Sequence, residues 1–418
     1  MNNSNPSRWI VAQEGSRESY AVPRSFHRLA KLRTLYVDTW CRWGRCLLKA
    51  GPRGCRAFST HFASDLPSDR VVSFTRSVLA ERALFYLRKS RLKGSDLSGE
   101  YCRFGSKFAR MVRDSLEREN LDSRSDNFFG FNSNCLETLE HLRERGVFTV
   151  VDQVDPARVE EDICLEESQR WPGWARVESR MSSGYWDRIR AEWDTADLVL
   201  VNSEWSRGAL VRQGVSRDKL VVVPLALESG PADNPPLDRT PGNLKILWLG
   251  SVILRKGIQY LAEAARILRG RKLEFLVAGP IGISEQAIRS LPDNMRLIGP
   301  VTRDQVGRLY SEAHVFVLPT ISDGFGITQL EAMAHGLPVV ATPNCGQVVT
   351  DGVDGFIVPA RDPEALADAL ERIEAAPGLL REFSVRARAT AARFDLESSA
   401  TAIDEVVWSK RQAKATRN

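Results

Sequence analysis

Residues 321–342 read ISDGFGITQLEAMAHGLPVVAT, from Ile321 to Thr342. Asp323-Gly324-Phe325-Gly326 forms a loop with two glycines, where backbone can approach a ligand that a Cβ would block. A helix follows at once: Ile327, Leu330 and Ala334 recur on one apolar face, and Gly336 with Pro338 stops it. Pro338 to Thr342 then reads as a short buried strand.

A helix that starts at a glycine turn aims free N–H groups and its positive dipole end at whatever lies before it, a setting that favours phosphate. Asp323 precedes this helix and Glu331 lies more than a turn inside it, too far apart to serve as one adjacent acid–base pair. They are placed to accept hydrogen bonds from hydroxyls on two separate parts of one ligand. A nucleotide sugar offers that pattern, with sugar hydroxyls, a diphosphate and ribose hydroxyls in line. An ordinary loop and helix cap is the alternative reading.

The chain of 418 residues exceeds what one core usually supports, which predicts two domains. Hydrophobic content of 43% and charged content of 27% are those of a water-soluble globular protein. No stretch has the length and apolarity of a membrane span, and the start lacks the layout of a signal peptide, so the expectation is a cytoplasmic chain. The seven cysteines are scattered, without CxxC or Cys/His metal spacing, and read as reduced thiols.

The net charge of +5 is unevenly spread, for residues 1–120 hold 23 Lys and Arg against 11 Asp and Glu. These basic residues are interleaved with aromatic and aliphatic ones, at Tyr36, Trp40, Arg42, Trp43, Arg45, Leu47, Lys49, Arg53 and Arg56 and again from Leu84 to Lys93. Such segments suit the surface of an anionic bilayer, giving an expected peripheral place on its inner face; a solvated helix face is the alternative. No nucleic-acid-binding module accompanies the charge, so nucleic acid is not an expected partner.

In the first half, strands are expected at Trp9 to Gln13, Leu35 to Asp38, Val71 to Phe74, Asn127 to Phe131 and Phe148 to Asp152. The amphipathic stretch Leu136 to Arg145 links the last two as a β-α-β unit, which demands a parallel sheet. Asn132, Ser133, Asp152, Gln153 and Asp155 fall at the carboxyl edge of that sheet, where open parallel sheets bind ligands. Asp152 and Asp155 are the acceptor-side candidates; loop capping before Pro156 is the other reading of Asp155. Gly15 is a βα-turn glycine after the first strand. Pro231 to Asn243 contains four prolines and reads as a linker and hinge.

The second half opens with the strand Leu244 to Gly250, a loop Ser251 to Lys256 and a helix Gly257 to Leu268. Arg255 and Lys256 lie at the helix mouth, where cations oppose the dipole and want an anionic partner. Two solvated cations are the plain alternative. Further strands at Leu273 to Ala278, Met295 to Ile298 and Val315 to Leu318 lead back to the opening stretch. Asp362 then caps a helix with Pro363 in its first position.

The stretch 321–342 resembles the carboxylate, seven residues, glutamate signature of retaining glycosyltransferases of family 4. The resemblance extends well over residues 190–400 and loosely over 1–190. It implies an α/β chain of GT-B fold, two Rossmann-like parallel-sheet domains facing across a cleft. The acceptor-binding domain is expected at residues 1–228, the linker at 229–243 and the nucleotide-sugar domain at 244–395, with a last helix at about 396–418 returning to the first domain.

In that family the first carboxylate, usually Glu and here Asp323, holds the donor sugar, and the second, Glu331, binds the ribose. Lys256 and a basic residue before it take the diphosphate; Ser251 occupies the place after Gly250 where a basic residue often stands, and Arg255 is the substitute suggested by spacing. Arg255, Lys256 and Asp323 are thus the catalytic candidates. Gly15, Gly250, Ser251, Val301, Gly324, Phe325, Gly326, Ile327, Thr328 and Glu331 form the donor-binding set. The implied activity is metal-independent, retaining transfer of a hexose from a UDP- or GDP-sugar to a glycan or lipid-linked acceptor, in cell-surface polysaccharide or glycolipid synthesis, with no cofactor besides the donor. A non-catalytic GT-B pair that holds a nucleotide or glycan, and a nucleotide-sugar epimerase, are the competing readings.

Overall fold

The computed structural model describes residues 7–42, 58–88, 94–175, 180–228 and 244–415. The expected linker 229–243 and the basic stretches 43–57 and 89–93 lie outside these residues. Among the described residues, thirteen strands form two wholly parallel sheets. The first contains β1 (Arg8–Gln13), β2 (Leu32–Val37), β3 (Val71–Ser73), β4 (Asp126–Phe131), β5 (Phe148–Gln153), β6 (Leu198–Val201) and β7 (Leu220–Val222) in the order β3-β2-β1-β4-β5-β6-β7. The second contains β8 (Leu244–Leu249), β9 (Leu273–Ala278), β10 (Met295–Gly299), β11 (Val315–Leu318), β12 (Val339–Ala341) and β13 (Gly355–Ile357) in the order β10-β9-β8-β11-β12-β13.

Each strand order reverses once, between β1 and β4 in the first sheet and between β8 and β11 in the second. Parallel strands need crossovers, and a reversal sends successive crossovers to opposite faces, opening a crevice at the strands' carboxyl ends. Two such crevices meet in one molecule here.

Alternation along the strands feeds a core on both faces of each sheet. Trp9 and Val11 pack with Phe26, Phe129 and Ile403 on one side of the first sheet, while Ile10 and Ala12 pack with Phe108, Val112 and Leu139 on the other. In the second sheet, Ile246 and Trp248 meet Leu261 and Leu370, whereas Leu247 and Phe316 meet Leu330 and Met333. Asp362 accepts the N–H of Ala365 at 2.8 Å and Pro363 opens the helix Pro363–Ala375.

The final helix, Leu396–Ala415, packs on the helix Ala21–Arg28 of the first domain. Its buried Asp404 accepts from the Trp9 indole at 2.9 Å and pairs with Lys31. A second crossing joins the domains at the helix Arg158–Arg170: Glu160 meets Arg255, Glu166 meets Arg361, and buried Glu167 accepts from Gln259 at 2.8 Å and Tyr260 at 3.0 Å. Ala175 then bridges to Ile283 as a single antiparallel contact. Among the described residues no helix is long and apolar enough to cross a membrane.

Candidate active site

The crevice of the second sheet brings together the loops after β8 and β11. After β8 the chain makes a short turn, Leu254–Lys256, and Gly257 starts the helix Ile258–Ile267. Gly257 has φ +77°, and a Cβ there would sit 1.8 Å from the carbonyl oxygen of Pro319. Only glycine permits that approach, and it presses Lys256 against the loop after β11. The Lys256 ammonium pairs with Asp323 Oδ2. The sequence separates these residues by 67 positions, and the fold makes them one ion pair.

Asp323 stands directly before the helix Ile327–Ala334, whose cap, Gly326, is left-handed at φ +71°. Ile327 and Thr328 occupy the first helical positions, whose N–H groups have no acceptor within the helix. The loop is fixed from behind, for Asp323 N–H donates to Asn344 O at 3.0 Å and Gly346 N–H donates to Phe325 O at 2.9 Å. Phe325 contributes backbone only: its ring is buried in the core with Leu318 and Leu330.

The corresponding position in the first sheet is already filled. There the helix Leu136–Glu144 follows β4, and the carboxylate of Glu192 accepts from the N–H groups of Ser133 at 2.6 Å, Cys135 at 2.9 Å and Leu136 at 3.2 Å. The protein's own carboxyl group thus occupies one helix N-terminus. The other faces Lys256 and Asp323.

Next to the second crevice lies a cavity of about 510 Å³ between the domains. Glu18 and Ser19 line it from the first domain, Leu225 to Glu228 from the segment after β7, and Arg303, Tyr310, Ile327, Glu331 and His335 from the second domain. Tyr310 is held edge to the helix: its hydroxyl lies 2.9 Å from Glu331 Oε2 and 3.2 Å from Thr328 O, and its ring stacks on His335 at 4.9 Å. Burial raises the pKa of Glu331, and the Tyr310 hydrogen bond opposes this.

The other candidates are distributed as follows. Gly15 (φ +68°) donates its N–H to Asp38 at 2.8 Å at the carboxyl end of β1. Glu18 follows it in a left-handed turn, its pKa pushed up to about 7 by burial. Asp152 is buried beside it, with a pKa raised well above the carboxylate range by burial and then by the Glu18 charge. Asp155 caps its own loop, accepting from Gln153 Nε2 at 2.8 Å and from Ala157 N–H at 2.9 Å. Gly250 hydrogen-bonds to Ala278, Ser251 is exposed, and Val301 is half-buried after β10.

Arg255 is turned from the crevice toward the first domain. Its Nη1 donates to Ser322 O at 2.9 Å and to Glu160 Oε2 at 3.2 Å. Sequence reasoning missed Glu160, Glu18, Tyr310 and Glu192. Each works through a partner distant in sequence, and no local motif marks any of them.

A family model for glycosyl transferases group 1 matches residues 243–375, the segment that builds the second crevice. D-inositol 3-phosphate glycosyltransferase of Streptomyces bingchenggensis is 31% identical over 238 residues, 50% of this chain and 52% of that protein. The match thus spans about half the length of that relative. Amylovoran biosynthesis glycosyltransferase AmsK of Erwinia amylovora is 25% identical over 339 residues, 76% of this chain and 77% of that protein. Among solved structures, sucrose-phosphate synthase of Thermosynechococcus elongatus superposes with a TM-score of 0.62 at 18% identity, over 98% of this chain and 100% of that one. Anabaena HepE in complex with UDP and glucose gives 0.57 at 14% identity, over 96% and 100%. The two parallel sheets and the superpositions give the chain the GT-B fold, and its second-crevice segment, residues 243–375, matches the group 1 glycosyltransferases.

Proposed function

We propose that the chain transfers a hexose, with retention, from a nucleotide sugar to a hydroxyl of a glycan or lipid-linked acceptor in polysaccharide or glycolipid synthesis. The observation that carries this is the Lys256–Asp323 pair in front of the helix Ile327–Ala334, beside the cavity that holds Glu331. A diphosphate placed between Lys256 and the N–H groups of Ile327 and Thr328 meets positive charge on two sides. Asp323 then faces the donor sugar hydroxyls, and Glu331 the ribose diol at the other end. The amylovoran biosynthesis glycosyltransferase AmsK and the UDP and glucose complex of HepE agree with a polysaccharide product and a nucleotide-sugar donor.

In this reading the bond from sugar C1 to the diphosphate oxygen breaks and the acceptor oxygen bonds to C1 on the same face. The acceptor proton passes to the departing diphosphate oxygen. Lys256 and the two N–H groups stabilise that oxygen as charge builds on it; one preorganised donor of this kind typically supplies about 3–4 kcal/mol. Asp323 fixes the sugar, and turnover without added divalent cation is expected.

The test is release of nucleoside diphosphate by the purified chain from UDP-, GDP- and ADP-sugars without added metal, with and without membrane extract as acceptor, beside Glu331→Ala. Release from one donor, lost in the variant, identifies enzyme, base and sugar together. No release from any donor, with a nucleotide still raising the melting temperature, would replace the transferase reading by a binding module.

A further inference from the structure

Glu160 belongs to the first domain, in the first turn of the helix Arg158–Arg170. Its Oε2 lies 3.2 Å from Arg255 Nη1 and 3.3 Å from Ser322 Oγ, both in the second domain. The same Ser322 hydroxyl accepts the indole N–H of Trp205, again from the first domain, at 3.0 Å. Within the second domain, Arg255 Nη1 also donates to Ser322 O at 2.9 Å, and Ile321 N–H donates to Arg255 O at 2.9 Å. Glu160 therefore touches the residue before Lys256 and the residue before Asp323. One carboxylate stands behind both members of the ion pair that the donor must meet.

Contacts next to it point the same way. A Cβ on Gly324, one residue past Asp323, would fall 2.1 Å from Val154 O, which already accepts from Asn202 Nδ2 at 2.9 Å. Val154, Glu160, Asn202 and Trp205 all belong to the first domain, so the loop 320–324 is gripped from across the cleft. A loop held only by its own domain would keep its shape whether the cleft were open or closed. This one takes its shape from both.

We infer that Glu160, with Trp205, is a positioning residue: through Arg255 and Ser322 it sets the geometry of Lys256 and Asp323, and so couples closure of the domains to assembly of the donor-sugar site. The inference rests on the transferase reading for its kinetic consequence, while the coupling itself is a property of the loop. Arg255 in this arrangement acts on Asp323 and Lys256 from behind, and does not need to reach the diphosphate.

The experiment measures hydrogen exchange of the segment 319–328 in the full chain, together with nucleoside diphosphate release, for wild type, Glu160→Ala, Glu160→Gln and Trp205→Phe. Glu160→Ala is expected to speed exchange at 320–324 by about tenfold or more. It should also lower kcat by between about tenfold and a hundredfold, as misplacement of a reacting group does, with a smaller change in the melting shift given by free UDP or GDP. Glu160→Gln, which keeps an oxygen in place for Arg255, recovers most of both. Unchanged exchange at 320–324 in Glu160→Ala overturns the coupling whatever the activity, and an unchanged kcat overturns the kinetic role. Should the wild type release no diphosphate from any donor, the transferase reading fails by itself and the exchange result still decides the coupling. Should Glu160→Ala not fold, Trp205→Phe decides: it removes the N–H given to Ser322 while keeping a smaller aromatic ring in place, and exchange equal to wild type overturns the inference.

Discussion

Lys256 and Asp323, 67 positions apart in sequence, neutralise each other as one ion pair across the mouth of the second crevice. On the proposed function, a nucleotide sugar entering the crevice parts them, exchanging one ion pair for two sets of charge-assisted hydrogen bonds. Both groups are thereby kept in position before the ligand arrives.

Replacing Lys256 by Ala removes the cation and leaves Asp323 without its partner. Diphosphate release is expected to fall about 100- to 1,000-fold, the usual loss on deleting one preorganised donor to developing charge. The melting temperature should fall as well, since the side chains of the pair are only 18% and 13% exposed and removing the cation leaves a largely buried carboxylate uncompensated. A Lys256→Ala protein with wild-type turnover would remove Lys256 from the site.

The Tyr310 hydroxyl, 2.9 Å from Glu331, is the hydrogen-bond partner of this largely buried carboxylate, which on the proposed function faces the ribose diol. Tyr310→Phe withdraws that donor without emptying the space. A stability loss of about 1–3 kcal/mol is expected, the typical cost of an unpaired buried acceptor. Added nucleotide should restore part of it by supplying hydroxyls to Glu331. Thermal melts with and without UDP and GDP measure both effects; an equal loss with and without nucleotide would separate Glu331 from the ribose.

The parallel sheets were legible in the sequence because alternation, βα-turn glycines and helix stops are local signals. β4, β5, β9 and β11 lie within a residue of their expected places. The Asp323–Glu331 spacing and the Lys256-Gly257 turn were visible as motifs, since each lies within its own crossover unit; that the two units meet at Lys256 and Asp323 was not. The cross-domain residues were not. Glu160 follows Ala157, whose positive φ of 54° no residue pattern announces, and it meets Arg255 95 positions later. Glu192 plugs a helix N-terminus 56 residues upstream of itself. Gly324 was legible as a place of close approach, but the group that approaches is the protein's own Val154 carbonyl.

That last contact separates two glycines by experiment. Gly324→Ala puts a methyl 2.1 Å from Val154 O, so either the loop or the cleft must give. A loss of about 1–3 kcal/mol is expected, as for overpacked sites generally, with turnover reduced through the displaced Asp323. Gly99 lies inside the helix Gly94–Leu116 with nothing within 4 Å of its would-be Cβ. Gly99→Ala should stabilise by about 0.5–1 kcal/mol through helix propensity and leave turnover alone. Denaturant midpoints of the two variants check this, and a Gly324→Ala protein as stable and active as wild type would mean that the domains do not meet there.

Glu160 gives the protein a readable pH signature. Burial pushes its pKa up to about 7, Arg255 and Lys256 opposing and Asp155 and Asp323 adding to the rise. Between the ordinary carboxylate value and about 7, the folded protein therefore holds a proton that the unfolded chain has lost. The contribution of Glu160 to stability is greatest below this window and declines as pH rises through it. Glu160→Gln, which mimics the protonated form at every pH, abolishes that slope. The stability difference between wild type and Glu160→Gln should then shift against the wild type by on the order of 1–3 kcal/mol from pH 5 to pH 8. Taking the difference cancels the other raised carboxylates, Glu14, Glu18, Asp152, Glu192 and Glu331, which titrate in both proteins. Urea unfolding at intervals across that range decides it, and parallel curves for the two proteins would show that Glu160 keeps its charge throughout, held by Arg255 more strongly than burial resists.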